Sequence, residues 1–354
     1  MSTKWRKFRF FDYQQVRRAG ATELGLRDLT CCTSGRGNLI FGDATGSLTF
    51  VNRAFDAAVS FRAHDQLVSH IHQFQASDFL LTIGDGLDPR SAEQREDSRS
   101  VSQRNLGSRA SAAAPAMAPA ATVRVWRLSP NADRDPALVR TIKVFRSAAE
   151  ERAITAFCVN EDMTALALGL DDGRVLLYSG VDLRSASRRS TLRPVVLSGG
   201  RAEVRGAIAH LAFAKKDEYS GGARSAEPDV LSLFVVTTSG VVSYMRADAS
   251  AERERPNELD SRGSVAGCST LTADDELIVG QDEAIWFYKA EHRGQCYAFD
   301  GRKGQLHSFG RHLLVSSEDA VAGGRAGHSV TIYDLRSKVS VLLCTVTFYA
   351  NLAH

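Results

Sequence analysis

The sequence lacks the cysteine spacing that marks a zinc or redox site. None of its 6 cysteines stands in a C-x-x-C pair, and such pairs are the usual signature of zinc ribbons and thioredoxin-like centres. We therefore expect buried free thiols in a reducing compartment, with no bound metal and no cofactor. The cysteines are Cys31, Cys32, Cys158, Cys268, Cys296 and Cys344.

Long apolar runs are also missing. No stretch reaches the roughly 18 to 20 apolar residues that a membrane-spanning helix needs. The first residues, MSTKWRKFRFFDYQQV, mix charges with aromatic side chains and contain no apolar core of a signal peptide. We expect a cytoplasmic chain whose contact with membranes is peripheral and indirect.

Neither sign of charge dominates the sequence. The chain has 44 basic and 41 acidic residues, a net charge of +3, whereas a nucleic-acid-binding domain carries a strongly basic face. We therefore predict no nucleic-acid partner.

The strongest positive feature is an internal repeat of an apolar strand, a Gly or Asp turn and a second apolar strand. Gly42 and Gly84 end two of the first strands and lie 42 positions apart, as do Thr238 and Gly280. A four-stranded propeller blade takes about 40 to 45 residues. We predict an all-β fold over residues 1–354: a seven-bladed WD40-like β-propeller, incomplete at its C-terminus, of which about six blades are recognisable. The repeated hairpins lie near residues 38–52, 80–128, 165–180, 233–247, 277–290 and 313–335.

One turn could be read in two ways. Asp171 and Asp172, followed by Gly173 in ALALGLDDGRVLLYSG, could present carboxylates to a ligand or could bend the chain between two strands. Gly tolerates positive φ, and Asp bonds its own backbone two residues on, as a tight hairpin requires. The segment also lacks the alternating oxygen ligands and final Glu of a calcium loop. We interpret it as a hairpin turn.

Three histidines lie close together in AHDQLVSHIHQF. On a strand, His70 and His72 share a face that a metal could use, with His64 nearby. No third ligand is placed by the sequence, which favours partly buried structural histidines. We read residues 66–74 as a strand, although their spacing also allows a helix.

Four polar segments interrupt the repeat. Residues 87–121 are rich in Ser, Ala, Arg, Pro and Glu, with almost no aromatics, a composition that predicts a disordered insertion. Its arginines could attract anionic partners, but a solvated spacer is the favoured interpretation. The other three segments, 182–193, 215–229 and 246–263, are predicted to be polar loops.

Signatures of catalysis are absent from the sequence. Neither G-x-S-x-G nor H-E-x-x-H occurs, and Gly35, Gly37 and Gly42 have the wrong spacing for a phosphate-binding loop. A propeller enzyme needs polar ligands that converge from several inner strands, whereas AITAFCV and AHLAFA are mostly apolar. We predict a protein that is not an enzyme, with no catalytic, cofactor-binding or metal residues.

Three motifs carry a family resemblance. They are W-x-x-F-x-F-F-D from Trp5, S-G-R-G-x-L-x-F-G-D from Ser34, and G-x-C-x-A-F-x-G from Gly294. With the blade segments between them, from about Trp5 to Val346, the chain resembles the N-terminal β-propeller of the vacuolar protein sorting-associated protein 11 family.

The resemblance implies a core subunit of the class C tethering complexes HOPS and CORVET, which join endosomal and vacuolar or lysosomal membranes before fusion. It implies other class C subunits as partners, with Rab-type GTPases or SNARE machinery as further candidates. It also implies a cytoplasmic protein, peripheral on late endosome, vacuole or lysosome membranes. The blade pattern alone fits equally well a WD-type adaptor of another multiprotein complex.

In that family the propeller continues into an α-solenoid and a RING domain, whereas this sequence ends in TFYANLAH. We expect a fragment, a truncated gene model or a short form. Residues 7–14 resemble the strand that closes a propeller, and we expect an incomplete ring that is unstable when expressed alone. Partner-binding residues are not identified: Arg36, Asp43, Arg174 and Asp282 fit turn chemistry and partner contact equally well.

Overall fold

A computed structural model gives the coordinates of the protein, and the part of the chain that it describes is almost entirely β. The described residues form 24 strands and two short 3₁₀ turns, Ala148–Glu150 and Ala249–Glu252. They fall into two compact units, one up to residue 151 and one from residue 152 onward. The structure describes residues 28–54, 58–86, 121–129, 136–180, 182–185, 192–198, 206–215, 231–299, 301–321, 325–336 and 339–346.

The first unit holds two four-stranded antiparallel sheets. Strands pair in chain order in both, so each sheet is a meander, the form of one propeller blade. Blade 1 consists of β1 (Leu29–Gly35), β2 (Asn38–Asp43), β3 (Ser47–Asn52) and β4 (Ala58–Arg62). Blade 2 consists of β5 (Val68–Gln73), β6 (Phe79–Gly84), β7 (Thr122–Arg127) and β8 (Ala137–Lys143).

The second unit holds four further sheets of the same form. Blade 3 consists of β9 (Ile154–Val159), β10 (Ala165–Leu170), β11 (Arg174–Ser179) and β12 (Val195–Ser198). Blade 4 consists of β13 (Ile208–Lys215), β14 (Leu231–Thr237), β15 (Val241–Tyr244) and β16 (Asn257–Asp260). Blade 5 consists of β17 (Ser269–Leu271), β18 (Leu277–Gly280), β19 (Ala284–Tyr288) and β20 (Arg293–Ala298). Blade 6 consists of β21 (Lys303–Phe309), β22 (His312–Val321), β23 (Arg325–Asp334) and β24 (Val339–Val346).

The prediction of an all-β propeller fold with six recognisable blades is confirmed. The six repeated hairpins correspond to the second and third strands of the six blades. The strand prediction for residues 66–74 is confirmed as well, because β5 occupies Val68–Gln73. Four predicted features lie wholly or mostly outside the described residues: the closing strand at 7–14, the insertion at 87–121, the loop at 215–229 and the end at 347–354.

Burial explains why the second and third strands of each blade are the easiest to recognise. All six residues of β6 and all six of β10 are buried, so both faces of these strands are covered and their sequences read as nearly continuous hydrophobic runs. The outer strand β20, by contrast, is exposed at every position but one.

Glycines at the ends of second strands leave room for the next blade. A Cβ on Gly169 would lie 2.4 Å from Cγ2 of Ile208, and one on Gly280 would lie 2.9 Å from Cδ1 of Leu306. Between blades 3 and 4, the hydroxyl of Thr155 also donates to the carbonyl of Ile208 at 2.6 Å. Gly169 and Gly280 therefore lie at closely packed seams between consecutive blades, whereas a Cβ on Gly84 would meet His64 and Leu67 in the segment before β5.

Two predicted polar loops contain ordered, partly buried structure. The segment 246–263 includes a 3₁₀ turn and β16, which pairs with β15 and buries Leu259. Within 182–193, Leu183 is buried and its amide donates to the carbonyl of Met163 at 2.9 Å. The outer strand β16 buries only Leu259, so its otherwise polar sequence resembles that of a loop between blades.

Candidate interaction surface

The turn at Asp171–Gly173 joins β10 to β11. The amide of Gly173, at φ +80°, donates to the carbonyl of Leu170 at 3.2 Å. Oδ1 of Asp172 accepts the Arg174 amide at 3.1 Å, and Oδ2 pairs with the Arg174 guanidinium at 2.7 Å. Burial alone raises the pKa of Asp172, but the hydrogen bonds and charge of Arg174 outweigh it and lower the pKa. The hairpin interpretation is confirmed, and Asp172 fastens its own turn.

A buried polar network in blade 2 was not predicted from the sequence. Nδ1 of His64 lies 2.9 Å from Oδ2 of Asp85, and Nε2 lies 2.8 Å from Oγ1 of Thr82. The indole of Trp126 donates to the same Thr82 hydroxyl at 3.0 Å, and Thr122 donates to Asp85 at 2.8 Å. A signal was available, because WD40 blades carry His before the first strand and Trp near the third.

Asp85 is the centre of this network. Its Oδ1 accepts the amides of Asp65 and Gln66 at 2.7 and 3.0 Å, and its Oδ2 lies 3.2 Å from the Arg124 guanidinium. Burial by itself raises the pKa of Asp85, but the hydrogen bonds from His64, Gln66 and Thr122 and the charge of His64 hold it well below its usual range. The carboxylate thus ties the segment before β5 to the turn between β6 and β7.

The histidines do not converge on one site. His64 is inside the network of Asp85, Nδ1 of His70 lies 2.9 Å from the Ser69 hydroxyl, and the ring of His72 packs edge-on against Phe74 at 4.8 Å. Within the described ranges, no group of three or more His, Cys, Asp or Glu side chains is arranged to hold a metal ion.

Buried histidines make the stability of the fold depend on pH. Burial lowers the pKa of His210 to about 4, and its Nε2 is buried without a hydrogen-bond partner. The free histidine pKa is about 6.5, so the unfolded chain takes up a proton first as the pH falls. The stability that the neutral ring provides is present above about pH 6.5 and is lost progressively towards pH 4.

We predict that lowering the pH from about 7.5 to about 5 costs about 2 kcal/mol of unfolding free energy through His210. Urea unfolding at the two pH values measures this, and His210→Gln should remove that part of the pH dependence. The matched control is His307→Gln, because His307 is exposed on β21. Equal pH dependence in the wild type and His210→Gln would contradict the prediction.

The cysteines differ from the expectation of buried thiols. No disulfide joins the five cysteines whose side chains the structure describes, but Cys32 and Cys296 are exposed, on strands β1 and β20. Cys268 is buried and donates to the carbonyl of Lys303 at 3.0 Å, and burial raises the pKa of its thiol. Both β1 and β20 lie at an edge of their sheet, where side chains can face solvent, so apolar composition alone overstates thiol burial.

Four turn residues, Arg36, Asp43, Arg174 and Asp282, fitted either turn formation or partner contact. The structure shows which of their side chains bond within their own turn. Oδ1 of Asp43 accepts the amides of Thr45 and Ser47 at 2.8 and 2.9 Å, and Arg174 is held by Asp172. Arg36 occupies a turn position at φ +48°. In the described contacts, the Asp282 carboxylate makes no comparable bond with its own turn, so it is available to a partner.

Asp282 lies on a groove of about 430 Å³, here called the blade 5 groove. Connecting segments of blades 4 and 5, and the segment that leads into blade 6, form its walls. Its volume lies within the range of known binding clefts, and its walls combine aromatic, aliphatic and charged groups. The lining residues used below are Arg262, Val265, Asp282, Glu283, Trp286 and Arg302.

Trp286 and Arg262 line the blade 5 groove, and Arg293, which does not line it, also stacks on Trp286. The Arg293 guanidinium lies 3.5 Å from the ring centre of Trp286, and that of Arg262 lies 5.2 Å away. Asp260, whose side chain is 3% exposed, pairs with Arg293 at 3.0 Å and with Arg262 at 3.6 Å. The Tyr288 hydroxyl donates to the same carboxylate at 2.8 Å. These contacts fix the aromatic wall in one geometry.

Comparison with known proteins identifies one family, and the similar proteins found belong to the same family. The family model described as PEP5/VPS11 N-terminal matches residues 5–92 and 111–350. No helix within the described ranges is long and apolar enough to cross a bilayer.

The chain is similar to three proteins described as vacuolar protein sorting-associated protein 11 homologs. The relative from Dictyostelium discoideum is 29% identical over 320 residues, which is 89% of this chain and 28% of the relative. That from Arabidopsis thaliana is 26% identical, covering 98% and 32%, and that from Homo sapiens is 27% identical, covering 89% and 30%. The chain thus spans about 30% of the length of these relatives.

Proposed function

The chain belongs to the PEP5/VPS11 N-terminal family, and from this we propose that it is the propeller portion of a vacuolar protein sorting subunit. In this role it acts as a non-enzymatic scaffold that binds partner proteins through the loops between its strands. Loops on a rigid frame are the usual place for such recognition.

The observation that carries the proposal is the extent of the family match. It covers residues 5–92 and 111–350, and so includes all of the described strands. A generic blade pattern would account for the strands but not for the match of the whole segment to one family. The alternative, a WD-type adaptor of another complex, draws support from the blade pattern and from the network of His64, Thr82, Asp85 and Trp126.

The finer form of the proposal names the assembly. We propose that the subunit works in the HOPS or CORVET tethering complex, beside other class C subunits, peripherally on endosomal, vacuolar or lysosomal membranes. Rab-type GTPases or SNARE machinery are the further partners that this role implies. The names of the relatives support vacuolar sorting for those proteins, and the complex is carried over from the family resemblance.

Co-purification tests this proposal. The endogenous gene is tagged at the N-terminus, and the co-purifying proteins are identified and quantified by mass spectrometry. We expect other class C subunits in near-equal amounts with the tagged protein. A folded, tagged product that brings down a different, reproducible set of proteins would contradict the proposal and favour the adaptor.

A further inference from the structure

We propose that the blade 5 groove binds an extended segment of a partner protein through one acidic side chain, held by Arg262 and Arg302. The inference rests on the proposed scaffold role and adds to it the place of contact and the chemistry of the partner. Three features of the groove support it. Arg262 is held in position by its neighbours, Arg302 is exposed on a segment fixed by hydrogen bonds, and the carboxylates of Asp282 and Glu283 repel polyanions.

Arg262 is held in place before any ligand arrives. Its Nε faces Asp260 at 3.6 Å, and its guanidinium stacks at 5.2 Å over Trp286, while its side chain remains 54% exposed. The described contacts leave its terminal Nη donors without a partner. A guanidinium fixed by stacking and by one ion pair loses little freedom when it binds a carboxylate with its other donors.

Arg302 lines the groove and belongs to a segment that hydrogen bonds hold in place. The next residue, Lys303, is 3% exposed and donates its ammonium to the carbonyl of Asp282 at 2.7 Å and to that of Phe299. These bonds fasten the segment before β21 to the turn between β18 and β19. Arg302 itself is exposed and has no ion pair among the described contacts, so its charge faces solvent.

The remaining lining favours a protein ligand over a nucleic acid or a lipid surface. Val265 is 49% exposed, and with Trp286 it offers an apolar contact beside the two arginines. Arg and Trp are the residue types that dominate binding energy at protein interfaces. The exposed carboxylates of Asp282 and Glu283 also line the groove and repel a polyanion. A single acidic side chain, flanked by neutral or basic residues, fits a lining that carries both arginines and carboxylates.

A random peptide library displayed on phage is the probe, selected against the full chain. We expect the enriched peptides to share an acidic residue, and binding of one labelled peptide to weaken at least about tenfold with Arg302→Glu. The matched control is Arg255→Glu, because Arg255 is exposed in the same unit and lies outside the groove. Replacing the acidic residue of the peptide by Lys should partly restore binding to Arg302→Glu.

The proposal is overturned if no peptide is enriched, if the enriched peptides lack an acidic residue, or if Arg302→Glu binds as the wild type does. Circular dichroism checks the fold of each variant, and Arg302→Gln replaces Arg302→Glu if the latter does not fold. Co-purification from cells separates the two proposals. If the wild-type chain enriches no acidic peptide but still co-purifies with class C subunits, the groove proposal alone is removed. Retained peptide binding without those subunits removes the proposed function alone.

Discussion

Gly169→Val lowers the unfolding free energy of the second unit by about 3 kcal/mol, the upper part of the range for overpacked cores. A Cβ at this position would lie 2.4 Å from Cγ2 and 2.6 Å from Cβ of Ile208. Neither atom is the end of a flexible side chain, so the first strand of blade 4 must move away from blade 3. Urea unfolding of the full chain measures the loss.

Another glycine within a strand, Gly304, provides the control for Gly169→Val. A Cβ on Gly304 in β21 would meet the Ser316 hydroxyl at 3.1 Å as its nearest neighbour, and that hydroxyl can rotate away. We expect Gly304→Ala to change stability by less than about 1 kcal/mol. Similar unfolding curves for Gly169→Val and the wild type would show that the seam is not closely packed there.

Asp85→Ala should destabilise the first unit by about 3 kcal/mol or more, as removal of one partner of a buried ion pair does. The change leaves the amides of Asp65 and Gln66 and the hydroxyl of Thr122 without their acceptor, and the ring of His64 without its carboxylate. Buried donors that lose their acceptor incur the full cost of desolvation. Chemical unfolding of the full chain tests this.

The acid response of Asp85 gives this prediction an independent readout. The folded pKa of Asp85 lies well below its usual range, so its contribution is present above the unfolded pKa of about 3.9 and is lost as the pH falls further. Asp85→Ala should lack this part of the acid response. Asp65→Ala, whose side chain is 81% exposed beside Arg124, should cost no more than about 0.5 kcal/mol. Equal losses for the two variants would contradict the central role of Asp85.

The sequence predicts the middle hairpin of each blade because the information there is local. In β10 and β11, two apolar runs are separated by Asp171–Gly173, and each element can be recognised within a few residues. The outer strand β16 escapes prediction because its four residues, NELD, bury only Leu259. The exposed strand β20 shows the same limitation.

The network and the groove depend on contacts that are distant in the sequence. Asp85 lies 21 residues from His64 and 37 from Thr122, and only the pairing of β5, β6 and β7 brings them together. The blade 5 groove joins residues from Thr238 to Lys303 in separate connecting segments. Their charges could be counted from the sequence, but their arrangement on one surface required the fold.

The proposed scaffold role is tested most directly by measuring delivery of vacuolar cargo in cells whose endogenous gene carries Gly169→Val or, as the control, Gly304→Ala. We predict that Gly169→Val reduces both the delivery of vacuolar cargo and the amount of class C subunits that co-purifies with the protein. Gly304→Ala should leave both quantities unchanged. Normal delivery by Gly169→Val protein, in which unfolding of the second unit has been demonstrated, would contradict the account.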